Sequence, residues 1–319
     1  MIEAPTELSP TEKVKLFQQS GMSKTDAIKA YLATREMLRP KLVQLSYSGG
    51  RASHVLGEKV LRGEIKTPFG CPIIFTCANP GMENPETHTF TALMEAKCKK
   101  AGIPFLRSNK SLYDDMLAAK GLGKTRFDFP ALFTKDRETG KIGQIDQRCT
   151  KEFKIAPMDR LARHWMDANL NISKKSKRIG RKILQKWIGF TYDEVLRIKT
   201  QEHQKYVCFD WPLVNERMTS EDLVAYLNSI GEPIPPRSVC NACFANDANY
   251  FRMLYEKYPT TAWVQAVTVD DYVRDLSQFG MRDECYVYAG CISLRELQER
   301  GFPDLVKATA RCHTGHCFN

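Results

Sequence analysis

The chain has 319 residues, 43% of them hydrophobic and 26% charged, with 47 basic residues against 37 acidic ones and a net charge of +10. This is enough apolar material for the core of one large domain with an appendage, and no apolar run reaches the ~18 residues that cross a bilayer, which excludes a spanning helix and a membrane partner. The basic balance favours anionic partners, nucleotides or nucleic acid. The opening stretch MIEAPTELSPTEK lacks the basic start and apolar run of a secretory signal, so the expected location is cytoplasmic.

Residues 1–40 read as a polar helical extension, with Ser23 as N-cap of KTDAIKAYLATREML. A β-rich run over 42–47 ends in a Ser/Gly turn, and the next segment carries Val55, Leu56, Val60 and Leu61 at helical spacing. A second buried strand is predicted over 73–78 and a second helix over 87–101, with Phe90, Leu93, Met94 and Cys98 on one face. IPFLRS is a third short strand, and 112–147 reads as a long insertion or mobile loop. CTKEFKIAPMDRLARHWMDAN resumes as a helix, WIGFTYDE and KYVCFDWPLV read as two more strands, and Ser220 is expected to cap EDLVAYLNSI. Strands alternating with helices imply crossover units and a parallel sheet covered on both faces. The expected fold is therefore α/β, a doubly wound and mainly parallel sheet of five strands. Residues 1–40 form the extension, 41–232 the nucleotide-binding domain, and 233–319 a cysteine-containing C-terminal region opened by GEPIPPRS.

The strongest local feature is Ser46, Tyr47, Ser48, Gly49, Gly50, Arg51, Ala52 and Ser53 between a strand and a helix. Adjacent glycines let backbone amides approach a phosphate, and the helix start adds its positive end. Ser48 and Ser53 offer hydroxyl donors and Arg51 a charge; the Walker A spacing is absent. Arg148, Lys151, Lys154 and Arg160 form a second cationic set, with Lys151 and Lys154 expected on one helix face, placed to hold distal phosphates or a sulfate. The basic run Lys174, Lys175, Lys177, Arg178, Arg181, Lys182 and Lys186 suits either a nucleic-acid backbone or a solvated surface. Eleven cysteines in a cytosolic chain do not imply a disulfide framework. Cys77 and Cys208 read as buried small hydrophobes. Cys240 and Cys243 form a half-site for zinc or an iron–sulfur cluster, which Cys149 and Cys312 or Cys317 would complete. A redox dithiol and a structural pair are the rival readings. His313 and His316 leave a mixed zinc site open, and Asp193 with Glu194 is a candidate oxygen pair for Mg²⁺.

The loop SYSGGRAS resembles the SGGxxS pyrophosphate loop of the adenine nucleotide α-hydrolase (PP-loop) superfamily, and its SGGR form is similar to the phosphoadenosine-phosphosulfate (PAPS) reductase-like family met in phages and mobile elements. The resemblance continues in order through ANPGMENPET at 78–87, RCTKEFKIAP at 148–157, IGFTYDE at 188–194, the run from Pro212 to Thr219, CNACF at 240–244 and the cysteine-bearing tail at 312–317. It implies that Ala78 and Asn79 border the adenine and ribose, with Glu83 and Glu86 helping there or capping the next helix. It also implies ATP or PAPS as the bound nucleotide, Mg²⁺, and a [4Fe–4S] cluster or Zn²⁺. The sequence departs from the pattern in two places. Ala52 stands where ATP pyrophosphatases carry aspartate, and the ECGxH nucleophile string of assimilatory PAPS reductases is missing. Three functions follow. The leading one is an enzyme acting at the α-phosphorus of ATP in sulfur-transfer chemistry, with Arg51, Lys151 and Lys154 as catalytic cations, a nucleic-acid acceptor at 174–186, and a sulfur-donor or thioredoxin-like protein partner. The others are a thiol-dependent PAPS or APS reductase and a non-catalytic nucleotide- or nucleic-acid-binding module.

Overall fold

The computed structural model describes residues 10–33, 40–121, 130–145, 149–172, 183–198 and 206–303. Two helices, α1 (Pro10–Gln19) and α2 (Lys24–Ala33), precede β1 (Leu42–Tyr47). There follow α3 (Arg51–Leu61), β2 (Ile73–Cys77), α4 (Pro85–Lys100), β3 (Phe105–Arg107), α5 (Leu112–Gly121), and the short strands β4 (Phe133–Lys135) and β5 (Ile142–Gln144). A π-helical turn, Thr150–Ile155, leads into α6 (Ala156–Leu170), β6 (Leu184–Ile188), a 3-10 turn at Tyr192–Arg197, β7 (Val207–Asp210), α7 (Pro212–Asn215) and α8 (Ser220–Ser229). The C-terminal region contributes α9 (Ala248–Lys257), α10 (Ala262–Val273), β8 (Glu284–Tyr286) and α11 (Leu294–Glu299).

Five strands make one parallel sheet in the order β3-β2-β1-β6-β7. Every residue of β1 is buried, as befits a central strand covered on both faces. Successive side chains of a strand point to opposite faces. Val43, Leu45 and Tyr47 accordingly pack with Val55, Leu56, Met94 and Leu227 from α3, α4 and α8, whereas Leu42 packs with Ala162 and Met166 of α6. Because the chain winds outward from β1 in both directions, β1 and β6 flank the switch point, where open α/β sheets bind ligands beyond the carboxyl ends of their strands. The doubly wound parallel architecture read from the sequence is the one observed.

The stretch expected as an insertion or mobile loop is instead structural. β4 pairs antiparallel with both β5 and β8, and Leu112, Met116 and Leu132 share a core with Phe251, Leu254, Val269 and Leu297. Their apolar partners lie more than a hundred positions downstream, which local periodicity does not reveal. Other boundaries shift for local reasons. β6 starts earlier than WIGFTYDE and stops before Gly189, and Thr191 caps the 3-10 turn that replaces the strand's expected end. β7 ends before Pro212, which opens α7. Thr219 rather than Ser220 caps α8, accepting from the Asp222 amide in a reciprocal capping box. Ser23 does accept from the Asp26 amide at 3.1 Å, as expected of an N-cap. The N-terminal helices are not free appendages: Val14, Ala27 and Ile28 cover Ile188, Phe190, Val195 and Trp211. Among the described residues, no helix is long and apolar enough to cross a membrane.

Candidate nucleotide site

A cleft at the carboxyl ends of β1 and β2 is lined by Ser46, Tyr47, Ser48, Ala78, Glu83, Lys154, Met158 and Ser238. One wall is the loop between β1 and α3. Gly49 takes φ +74°, and a Cβ there would stand 2.6 Å from Thr87 Cγ2. Both the backbone conformation and the contact with α4 therefore require glycine. Gly50 is the extended N-cap of α3, so the amides of Arg51, Ala52 and Ser53 have no intrahelical acceptor. The Nε of Arg51 is buried without a hydrogen-bond partner. The serine hydroxyls are used within the loop, contrary to their expected role as phosphate donors. Ser53 Oγ donates to the Gly50 carbonyl at 3.0 Å and accepts from the Ser48 amide at 3.1 Å, while Ser48 Oγ accepts from the Gly50 amide at 3.4 Å. These bonds shape the loop.

Gly189 braces this wall from β6. A Cβ at that position would lie 2.9 Å from the carbonyl carbon of Ala52 and the amide nitrogen of Ser53, so its bare backbone lets the strand end press against the start of α3. Ala52 is buried in the same contact. A carboxylate at position 52 would be desolvated there.

The opposite wall is assembled from distant segments. Lys154 Nζ lies 3.4 Å from Glu83 Oε1, and the Cys240 thiol is 3.6 Å from the same oxygen. Residues Glu83 and Cys240 form an isolated antiparallel bridge, and the Asn241 amide donates to the Met82 carbonyl, which fixes the CxxC segment to the loop after β2. Burial opposes the charge of Lys154, but Cys240, Glu83, Cys149 and Cys243 together push its pKa above the ordinary lysine value. Burial, with Glu83 adding to it, raises the Cys240 pKa, and burial raises Cys243 to about 11. Both thiols are thus protonated at neutral pH, and Glu83 is the negative group that keeps Lys154 charged. A protonated thiol is a poor nucleophile; a bound metal would deprotonate it.

The three cysteines expected as ligands, Cys149, Cys240 and Cys243, are within electrostatic reach of one another. Among the described residues, the one group of three His, Cys, Asp or Glu ligand atoms mutually within 4.8 Å is elsewhere, at His54, Glu58 and Glu232. The three sulfurs therefore do not all lie within 4.8 Å of one another. Cys312, Cys317, His313, His316 and Arg148 lie outside the described residues.

Other expected site residues are placed differently. Lys151 and Arg160 are solvent-exposed and do not line the cleft. The i→i+5 winding of the π-helical turn parts Lys151 from Lys154, which an ordinary helix would have put on one face. Asn79 accepts from the Gly81 amide at 3.0 Å and holds a turn, leaving Ala78 on the cleft. Glu86 binds Lys257 and Tyr258, while Asn84 caps α4. Asp193 accepts from the amide and hydroxyl of Ser220, and Glu194 pairs with Arg197 and caps at Thr191. With these carboxylates engaged in caps and alanine at position 52, Glu83, whose Oε2 has no hydrogen-bond partner, is the one carboxylate among the described residues lining the cleft, and one carboxylate is not a ligand set for a resident Mg²⁺. Lys186 is not part of an exposed basic surface: it is buried in β6 and paired with Asp159. The rest of the basic run, 174–182, lies outside the described residues. Cys77 and Cys208 are buried, as read. Met158 and Ser238 belong to no motif read from the sequence, and Tyr47 is read only as part of the loop motif; Ser238 reaches the site by donating to the Ser48 carbonyl at 2.7 Å.

No family model matches the chain, and no curated protein does. Among solved structures it is similar to the U34-tRNA thiolase NcsA from Methanococcus maripaludis with its [4Fe–4S] cluster, at 13% identity over 81% of this chain and 79% of that one, with a TM-score of 0.38. It is also similar to the NH3-dependent NAD synthetase from Campylobacter jejuni in complex with a nitrate ion, at 10% identity over 94% of this chain and 100% of that one, with a TM-score of 0.29.

Proposed function

We propose that the protein is an adenine-nucleotide enzyme that acts at the α-phosphorus of ATP and passes the activated acceptor to sulfur chemistry in the same cleft. The observation that carries this reading is the cleft itself, where Ser46–Ser48 at the end of β1 face Lys154, which is set among three cysteines. An acceptor oxygen attacks the α-phosphorus, the bond to the bridging oxygen breaks, and pyrophosphate leaves with the electron pair. The amides of Arg51–Ser53 and the Arg51 guanidinium hold the charge developing on pyrophosphate, and Lys154 balances it from the other wall. A divalent ion in this cleft would be carried by the nucleotide's own phosphates. Cys149, Cys240 and Cys243 would hold a [4Fe–4S] cluster, which when bound would supply iron with affinity for sulfur next to the nucleotide. The acceptor, a nucleic acid in this reading, and a sulfur-donor protein complete the reaction.

Incubation of anaerobically purified protein with ATP and Mg²⁺, following AMP and pyrophosphate, tests the reading. AMP and pyrophosphate in equal amounts, and iron bound to the chain, support it. ADP with phosphate refutes it, as does an absence of ATP binding. Sulfite released from PAPS by a thioredoxin-like donor would assign the chain to thiol-dependent reduction instead. The raised thiol pKa values oppose that outcome, because the reaction needs a thiolate to attack sulfur.

A further inference from the structure

Behind the phosphate loop, where α3, α4 and the turn after α8 meet, lies a buried cluster that nucleotide chemistry does not use. His54 and Glu58 stand one turn apart on α3, and Glu232 follows the left-handed Gly231 at the end of α8. Lys97 from α4 donates to Glu58 at 2.7 Å and reaches Glu232 at 2.6 Å. The ligand atoms of His54, Glu58 and Glu232 all lie within 4.8 Å of one another.

The lysine accounts for the carboxylates but not for the histidine. His54 is fully buried, and its Nε2 has no hydrogen-bond partner although it lies 3.8 Å from Glu58 Oε1. The Tyr47 hydroxyl lies 3.1 Å from the Phe90 carbonyl and 3.0 Å from Nδ1 of His54. With its proton on the carbonyl, the oxygen accepts from Nδ1–H, and this is the tautomer that leaves a lone pair on Nε2 beside the two carboxylates. Among the described residues this nitrogen is a buried polar atom left without a partner, an arrangement that folding disfavours.

We infer that this cluster is a site for a divalent first-row transition ion such as zinc, bound by Nε2 of His54 and the carboxylates of Glu58 and Glu232, with the Lys97 ammonium occupying the carboxylates when the metal is absent. One nitrogen and two carboxylate oxygens are an ordinary donor set for such ions. The second ring nitrogen is already held by a hydroxyl, as metal-binding histidines require. Two carboxylates against one ammonium leave a single negative charge, which a divalent ion replacing the ammonium removes. The route in is on the side of Lys97 and Glu232, whose side chains are 25% and 21% exposed. Tyr47 lines the nucleotide cleft and directly precedes Ser48, so the ion would fix the ring on which the phosphate loop begins.

The test is titration of the ¹⁵N-labelled full chain with Zn²⁺, reading the His54 Nε2 resonance, which is assigned by its loss in His54→Gln. This signal distinguishes the site from zinc held by cysteines. Saturable movement of Nε2 is expected in the wild type. In Glu232→Gln it should need roughly 10–100-fold more zinc, and in Lys97→Met roughly tenfold less, because the competing cation is gone. An Nε2 resonance that stays put in the wild type after the thiols are saturated overturns the proposal, and so does Lys97→Met binding no more tightly. If Lys97→Met does not fold, the wild type and Glu232→Gln decide the matter alone.

Discussion

The two walls of the cleft are built by opposite means. The phosphate loop is local: eight consecutive residues close on themselves through Ser48, Gly50 and Ser53, and its shape is set by one positive-φ glycine. The facing wall has no local logic. Lys154 with Cys149, Glu83, and the CxxC pair come from three parts of the chain and meet through an isolated bridge and a buried ion pair. A local wall is specified by sterics and a dispersed one by charge, so the two should fail differently when altered.

The largest effect is expected on the dispersed wall. Lys154→Met leaves Glu83 buried beside protonated thiols with no cation, and breaking such a pair costs about 3–5 kcal/mol. Urea denaturation should show that loss, and adding Glu83→Gln should recover most of it without restoring nucleotide turnover. If the single variant is as stable as the parent, charge does not hold this wall together. The local wall should respond to volume. Gly189→Ala places a methyl against the backbone of Ala52 and Ser53 and should cost about 1–3 kcal/mol, with weaker ATP binding by calorimetry although residue 189 does not line the cleft. Unchanged affinity would mean that the start of α3 needs no brace. The smallest effect concerns Cys77, under the cleft at the end of β2. Burial first, then Glu83, raises its pKa to about 12. The folded state keeps this proton while the unfolded chain loses it near pH 9, so the contribution is complete below pH 9 and declines as pH rises toward 12. By pH 10 about 1 kcal/mol should be lost, and Cys77→Ala should flatten that part of the stability profile. An identical slope in both proteins would place the alkaline loss elsewhere.

The same contrast explains what the sequence disclosed. The parallel sheet was legible because β1 and β2 are continuous apolar runs between turn residues, and the tight turn after β1 because its glycines and serines act on their neighbours. Lys154 and the cysteines were legible as residues but not as an arrangement: the spacing of Lys151 and Lys154 suggests a shared face only if the helix is ordinary, and the π-helical turn separates them. Asp193 and Glu194 look like metal ligands until Ser220 and Arg197 are seen to claim them. Lys186 belongs to a basic run in sequence, yet strand alternation turns it inward to Asp159. Leu112, Met116 and Leu132 share a core with residues of α9, α10 and α11 far along the chain, so their segment reads as loop. His54, Glu58, Lys97 and Glu232 carry no signature at all, since helix, helix and turn bring them together.

The hydrogen bond from Ser238 to the carbonyl of Ser48 ties the last third of the chain to the turn that would cradle a nucleotide. Cys240 is two residues further along. A shift of that turn would therefore be passed to the cysteine segment through the Ser238 hydroxyl.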